Sequence, residues 1–138
     1  MPCNIEDIPF IDVVIISHNH HDHLSLPTVL KIKEKHPHVH FIAGLGNKKW
    51  FNDAGIHNTT ELDWWDTREL RLSKIPPEGQ KKATEDGSDA GASEDDIVAT
   101  IGCLPCQHMS ARTPFDKAHT LWTSWSIESG GKKLWFGG

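Results

Sequence analysis

A chain of 138 residues is one domain's worth, or part of one. Its net charge is −5, and residues 75–96, with seven acidic and two basic side chains, account for all of it, so the remainder balances to zero. That leaves no basic stripe for nucleic acid, and no apolar run approaches the ~18 residues of a membrane span.

In chain order, Phe10 to Ile16 reads as a buried strand, because β-branched residues dominate it. Ser17-His18-Asn19-His20-His21-Asp22-His23-Leu24 follows, an H-x-H-x-D-H in which three imidazoles and a carboxylate fall within six positions. Imidazole and carboxylate together make a ligand set for transition metals at hydrolytic sites. Side chains two apart in extended backbone point the same way, so His18 and His20 can grip one ion. Asp22 and His23 come as the chain turns and can face a second ion a few Å away. Chance assembly of this pattern in a chain of this composition has a probability of roughly four in a thousand, which favours a metal site over an incidental His-rich loop.

Ser25 is placed to cap a helix that starts near Leu26, with Pro27 at a tolerated first-turn position and Leu26, Val29, Leu30 and the Lys33 stem inward. It ends by His36-Pro37. Val39 to Ala43 is the next strand. His36, His38 and His40 alternate like a second cluster, but His36 suits a helix C-terminus and His40 a strand, and His57 sits in a loop; none is expected as a ligand. Gly44-Leu45-Gly46 turns into a short helix through Lys48 to Phe51 that ends near Ala54-Gly55. Glu61 to Asp66 makes a strand and turn in which Trp64 and Trp65 are expected in the core, with an acyl groove or membrane interface as the alternative. Arg68 to Ile75 alternates like a half-buried strand until Pro76-Pro77 breaks it. Glu78 to Asp96 has no large apolar residue and is expected to be a disordered acidic insertion, 75–96 in all. Strands resume at Ile97 to Ile101, run to His108, and close with 119–129 and 132–136 around a Ser129-Gly130-Gly131-Lys132 turn. Trp122 and Trp125 fall on opposite faces of their strand, so at least one belongs to the core. Cys3, Cys103 and Cys106 make no disulfide framework. Cys103 and Cys106, three apart in a strand, would point to opposite faces as small buried residues, in keeping with a reducing intracellular compartment.

The H-x-H-x-D-H after a strand resembles the signature of the metallo-β-lactamase superfamily. Pro105-Cys106-Gln107-His108, then Ser110-Ala111-Arg112-Thr113, Thr120 to Ser126 and Trp135-Phe136-Gly137-Gly138, are similar to the N-acyl phosphatidylethanolamine phospholipase D family and its fungal members. The match covers most of the chain outside residues 75–96. It implies an α/β fold, part of an αββα sandwich with mixed sheets flanked by helices, and a single partial domain over 1–138. It implies two zinc ions in the complete enzyme. His18, His20 and His108 would hold the first, with Asp22 and His23 helping to hold the other. Asp22, at the catalytic position, would serve chiefly as a ligand. In the family a bridging Asp follows the final Gly pair and a further His lies beyond it. Neither is in this sequence, so the chain reads as a fragment, able to hold one ion.

The resemblance further implies hydrolysis of N-acyl phosphatidylethanolamine to phosphatidic acid and an N-acylethanolamine, by water activated between the metals. Arg112 is the candidate phosphate contact, a structural ion pair being the alternative. The rivals are a lactonase or thioesterase of the same fold, and a non-catalytic metal-binding remnant. The expected partners are a phospholipid substrate, a membrane surface and a second copy of the chain over the uncovered sheet face, with no nucleic acid. The expected location is intracellular and membrane-associated, mitochondrial as for fungal relatives.

Overall fold

The computed structural model describes residues 4–72 and 96–138. The expected insertion lies almost wholly outside them, as does Cys3.

Two sheets carry the fold. The first is parallel, in the order β1 (Val13–Ile15), β2 (His40–Gly44), β3 (Thr59–Leu62). The second is antiparallel, in the order β4 (Thr67–Leu72), β5 (Ile97–Leu104), β6 (Ser124–Ser129), β7 (Lys132–Phe136). Helix α1 (Leu26–Lys35) links β1 to β2, and α2 (Lys48–Asp53) links β2 to β3, as parallel pairing requires of its crossovers.

Alternation along β1 and β2 sorts side chains into layers. Val14, Phe41 and Ala43 pack with Val29 and Ile32 of α1 and Phe51 of α2. Val13, Ile15 and Ile42 face the other way, onto Ile101, Cys103 and Trp125 of the second sheet. Helix, sheet and sheet therefore stack in that order, three layers of the expected α/β sandwich.

The chain crosses between sheets through a turn at Asp63–Asp66. Asp66 Oδ2 accepts from the Asp63 amide at 2.9 Å, and the Trp65 amide donates to Cys103 O at 2.8 Å. Trp65 has φ 75°, unusual for a bulky residue, and its side chain is 73% exposed. The core expected for this Trp pair thus holds only for half-buried Trp64.

Other expectations shift. Ser25 is the N-cap of α1 but makes no side-chain cap bond; its Oγ accepts from Thr28 Oγ1 at 3.2 Å. The inner face of α1 is Val29 and Ile32, continued by buried His36, whereas Leu26 and Leu30 are 41% and 43% exposed. At 3.6 residues per turn the leucines lie about 100° round from that line. Strand β1 is confined to three residues because the backbone leaves the ladder before the motif. Strand β4 starts at Thr67, and the 73–75 end of its expected span lies outside the described residues. Strand β5 stops at Leu104, so His108 stands on a loop rather than at a strand end, and Cys106 is likewise off the strand, half-buried. Residues 119–123 are irregular, with Trp122 half-buried and Trp125 fully buried.

Gly130 and Gly131, at φ 56° and 74°, form the two-residue hairpin turn between β6 and β7. Gly44 marks a tight approach: a Cβ there would sit 2.7 Å from Leu121 O and 2.9 Å from Thr123 Cγ2. That approach brings the 119–123 segment under the end of β2, beside the metal motif.

Candidate metal centre

The motif leaves β1 under firm anchorage. The Ile16 amide donates to Ile42 O at 2.8 Å, and Trp125 Nε1 donates to Ile16 O at 3.2 Å. Ser17 O accepts from both the amide and the hydroxyl of Thr123, at 2.8 and 2.9 Å. Beyond it the chain tightens into a turn, with the His23 and Leu24 amides donating to His20 O at 3.0 and 2.8 Å. Leu24, fully buried, plugs the helix-side core and fixes the far end of the loop.

His18 is 1% exposed. Ser17 Oγ lies 2.9 Å from its Nδ1, which orients the ring and leaves Nε2 facing inward. His108 arrives from the loop after β5. That loop is tied to the 118–124 segment: Trp122 Nε1 donates to Cys106 O at 3.1 Å, the Ala118 amide to Ser110 O at 2.8 Å, and the buried Ser110 hydroxyl to Thr120 O.

These two anchorages bring His108 Nε2 to 2.9 Å from His18 Nε2, across ninety residues of sequence. The His20 ring centroid is 4.5 Å from that of His18 and 5.0 Å from that of His108. One ligand nitrogen from each of His18, His20 and His108 falls within 4.8 Å of the others. Burial, with His23, His108 and His20 close by, pushes the His18 pKa down to about 4, against a smaller opposing effect of Asp22. A neutral His18 presents a lone pair at neutral pH. Two imidazole nitrogens 2.9 Å apart must share a proton or meet at a cation, and three neutral imidazoles suit a divalent transition metal.

The other two motif residues are placed differently. The His23 ring stands 4.1 Å from the His18 ring, but His23 Nε2 is paired with Asp22 Oδ2 at 3.4 Å. The Asp22 side chain is 81% exposed. Neither belongs to the three-histidine group. The structure gathers the first ligand set and leaves Asp22 and His23 as an adjacent, solvent-facing pair.

Arg112 reaches across to the metal loop. Its Nη1 donates to Asn19 O and Leu24 O, both at 2.8 Å, and Nη2 lies 3.1 Å from His21 Nδ1. His21 Nε2 meets Arg112 O at 3.1 Å, and the guanidinium lies 5.2 Å over the Trp50 ring. The planar fork holds the two ends of the metal loop together. Asp116 supports it by accepting from the Arg112 and Thr113 amides at 3.0 and 2.7 Å. Those bonds, the Thr113 amide first, hold the Asp116 carboxyl below the usual range.

Sequence reasoning missed Ser17, Thr123 and the loop-clamping geometry of Arg112. A hydroxyl directly before the first histidine was the readable signal for Ser17. The two others act through backbone carbonyls, which no residue type announces.

A cleft of about 630 Å³ opens beside His20 and His108, lined also by Trp64, Cys106, Gln107, Met109 and Trp122. Trp64 meets Trp122 edge-on at 5.9 Å and donates through Nε1 to Trp122 O at 2.9 Å. Burial raises the Cys106 thiol pKa and pushes that of Cys103 up to about 12.

Residues 1–138 match the sequence profile of the Beta-lactamase superfamily domain. The chain belongs to the metallo-β-lactamase superfamily. Among relatives of this superfamily member, N-acyl-phosphatidylethanolamine-hydrolyzing phospholipase D 1 of Caenorhabditis elegans is 30% identical, over 99% of this chain and 34% of that protein. The mitochondrial N-acyl-phosphatidylethanolamine-hydrolyzing phospholipase D of Saccharomyces cerevisiae is 28% identical, over 99% and 24%. An uncharacterized protein of Mycobacterium tuberculosis is 27% identical, over 99% and 30%. The chain thus spans about a quarter to a third of the length of these relatives. Superfamily membership implies hydrolase chemistry and a metal, and His18, His20 and His108 offer the ligand atoms for one. Among the described residues no helix is long and apolar enough to cross a membrane.

Proposed function

We propose that this chain carries the first metal half-site and the acyl-binding wall of a zinc-dependent phosphodiester hydrolase. Its substrate would be an N-acylated phosphatidylethanolamine, cleaved in the phospholipase D manner. The observation that carries this reading is the apolar, tryptophan-lined cleft opening directly beside two metal-ligand histidines. The names of the worm and yeast relatives support the same substrate class.

His18, His20 and His108 would hold the ion. Bound there, zinc would supply a Lewis acid that polarises a phosphoryl oxygen and acidifies water. Ser17 orients the His18 ring, and Arg112 keeps the loop closed so that His20 stays on its partners. Trp64, Trp122 and Met109 offer apolar surface for an acyl chain and exclude water from that side of the cleft. A membrane surface as partner and a mitochondrial location, like that in the name of the yeast relative, go with a lipid substrate.

A second reading is favoured by the exposed Asp22–His23 pair: the chain holds a single ion and turns nothing over. The zinc-loaded chain is incubated with N-acyl phosphatidylethanolamine in mixed micelles, alongside a soluble lactone and a thioester, with phosphatidic acid followed by mass spectrometry. Phosphatidic acid release that ends on chelation supports the proposal. Lactone or thioester cleavage without it moves the chain to another reaction of the same fold, and zinc uptake with no product at all supports the single-ion reading.

A further inference from the structure

The turn between the two sheets, Asp63-Trp64-Trp65-Asp66, has the backbone of a glycine turn and carries a tryptophan. The Asp66 amide donates to Asp63 O at 3.1 Å, which closes four residues, and Trp65 at the third position has φ 75°. Trp64, at the second, does not share the positive φ. That is the pattern of a type II turn, whose third position favours glycine. A bulky side chain there strains the backbone. The strained residue is held from the neighbouring strand: the Trp65 amide donates to Cys103 O at 2.8 Å, and the Cys103 amide to Asp66 O at 2.9 Å. The indole is 73% exposed, and it makes no hydrogen bond or ring contact with another described residue. Strain of this kind gathers where a residue is held ready for a ligand.

Trp65 stands beside the metal-side cleft. Its neighbour Trp64, about 3.8 Å away along the chain, lines that cleft with Trp122 and Met109, and Met109 is itself 45% exposed. The carboxylates on either side of the Trp pair are engaged on turn amides: Asp66 Oδ2 accepts from the Asp63 amide at 2.9 Å, and Asp63 Oδ1 from the Trp64 amide at 2.7 Å. An indole, apolar but for one N–H, suits the boundary between hydrocarbon and water. Charge narrows the choice of surface. Outside residues 75–96 the chain balances to zero and has no basic cluster of the kind that anionic lipid attracts. The surface that an uncharged aromatic anchor fits is a zwitterionic one.

We propose that Trp65 is an anchor that seats the tryptophan-lined cleft on a zwitterionic lipid surface. The inference rests on the lipid reading of that cleft: a phospholipid substrate lies in a bilayer, and the anchor brings the cleft to it.

Metal-free wild type and Trp65→Gly are sedimented with phosphatidylcholine vesicles, and their thermal unfolding is followed without lipid. Glycine suits the turn, so the variant should melt no lower than wild type, yet bind vesicles at least about fivefold more weakly. Trp65→Asn, also at home at positive φ, should match it. Wild-type binding should persist at high salt, since no charge pairing drives it. A Trp65→Gly chain that melts several degrees lower, or does not fold, makes Trp65 a structural residue and overturns the anchor, as does equal vesicle binding by the two. Binding that needs anionic lipid, or that salt abolishes, overturns the zwitterionic assignment. A wild-type dimer that Trp65→Gly dissociates, seen by analytical ultracentrifugation, overturns lipid in favour of a second copy. The hydrolase reading is judged apart, with the zinc-loaded chain. Cleavage of micellar N-acyl phosphatidylethanolamine without vesicle binding keeps the reaction and overturns the anchor. Vesicle binding without cleavage supports the anchor and removes the reaction.

Discussion

Arg112 shows how one side chain can clamp the two ends of a histidine-rich loop. Two carbonyls five residues apart, Asn19 O and Leu24 O, converge on its Nη1, so the loop ends stay in register only while the guanidinium is present. Arg112→Ala should destabilise the chain by about 2 kcal/mol in denaturant unfolding, from lost charged hydrogen bonds and lost stem packing. Arg112→Lys should recover less than half of this, since an ammonium lacks the planar fork. The motif itself was legible because its residue types and spacing are rare together. The role of Arg112 was not, because a guanidinium that binds backbone looks in sequence like one that binds phosphate. His36 carries a different lesson. Its alternation with His38 and His40 mimics a cluster, yet His40 bonds Asn58 Oδ1 and Thr60 Oγ1 at 2.6 and 2.8 Å, and His36 is buried with Nε2 unpaired. Burial, with Lys35 and His38 near, lowers the His36 pKa from 6.5. The unfolded chain therefore takes up a proton first, and the stability held by neutral His36 is lost as pH falls below about 6.5. In metal-free unfolding measured across pH, His36→Leu should flatten that acid-side loss. An unchanged slope would remove His36 from it.

At the scale of elements, strands rich in β-branched residues, both helices and the glycine hairpin could be read from sequence, since each is set by local pattern. The inner face of α1 could not. Leu26 and Leu30 are as apolar as Val29 and Ile32, but Val29, Ile32 and buried His36 define the line that meets β2. Tertiary placement of the helix chose between two apolar faces. The irregular 119–123 segment was likewise hidden, because its apolar residues serve contacts rather than a ladder. It runs against the end of β2 at Gly44, where backbone meets backbone. Gly44→Ala must move Leu121 O, and should cost at least about 2 kcal/mol in unfolding and loosen the Thr123 anchors of Ser17. A stability within about 0.5 kcal/mol of wild type would show that this contact yields freely.

The whole molecule is helix, sheet and sheet, with the second sheet's far face open among the described residues. Strand β7, at the edge of that sheet, exposes Leu134 and Phe136 on one face and Trp135 on the other. The layered core sets the distance between two anchorages, the β1 end that carries His18 and His20 and the β5 exit that carries His108. The metal centre is therefore a property of the folded chain and not of the His-rich octapeptide. Calorimetric titration of zinc into the wild-type chain and into His108→Ala tests this most directly. The account predicts one tightly bound ion per wild-type chain and an affinity at least about 100-fold weaker in the variant. Equal affinity in the two, or a second tight ion in the wild type, would contradict it.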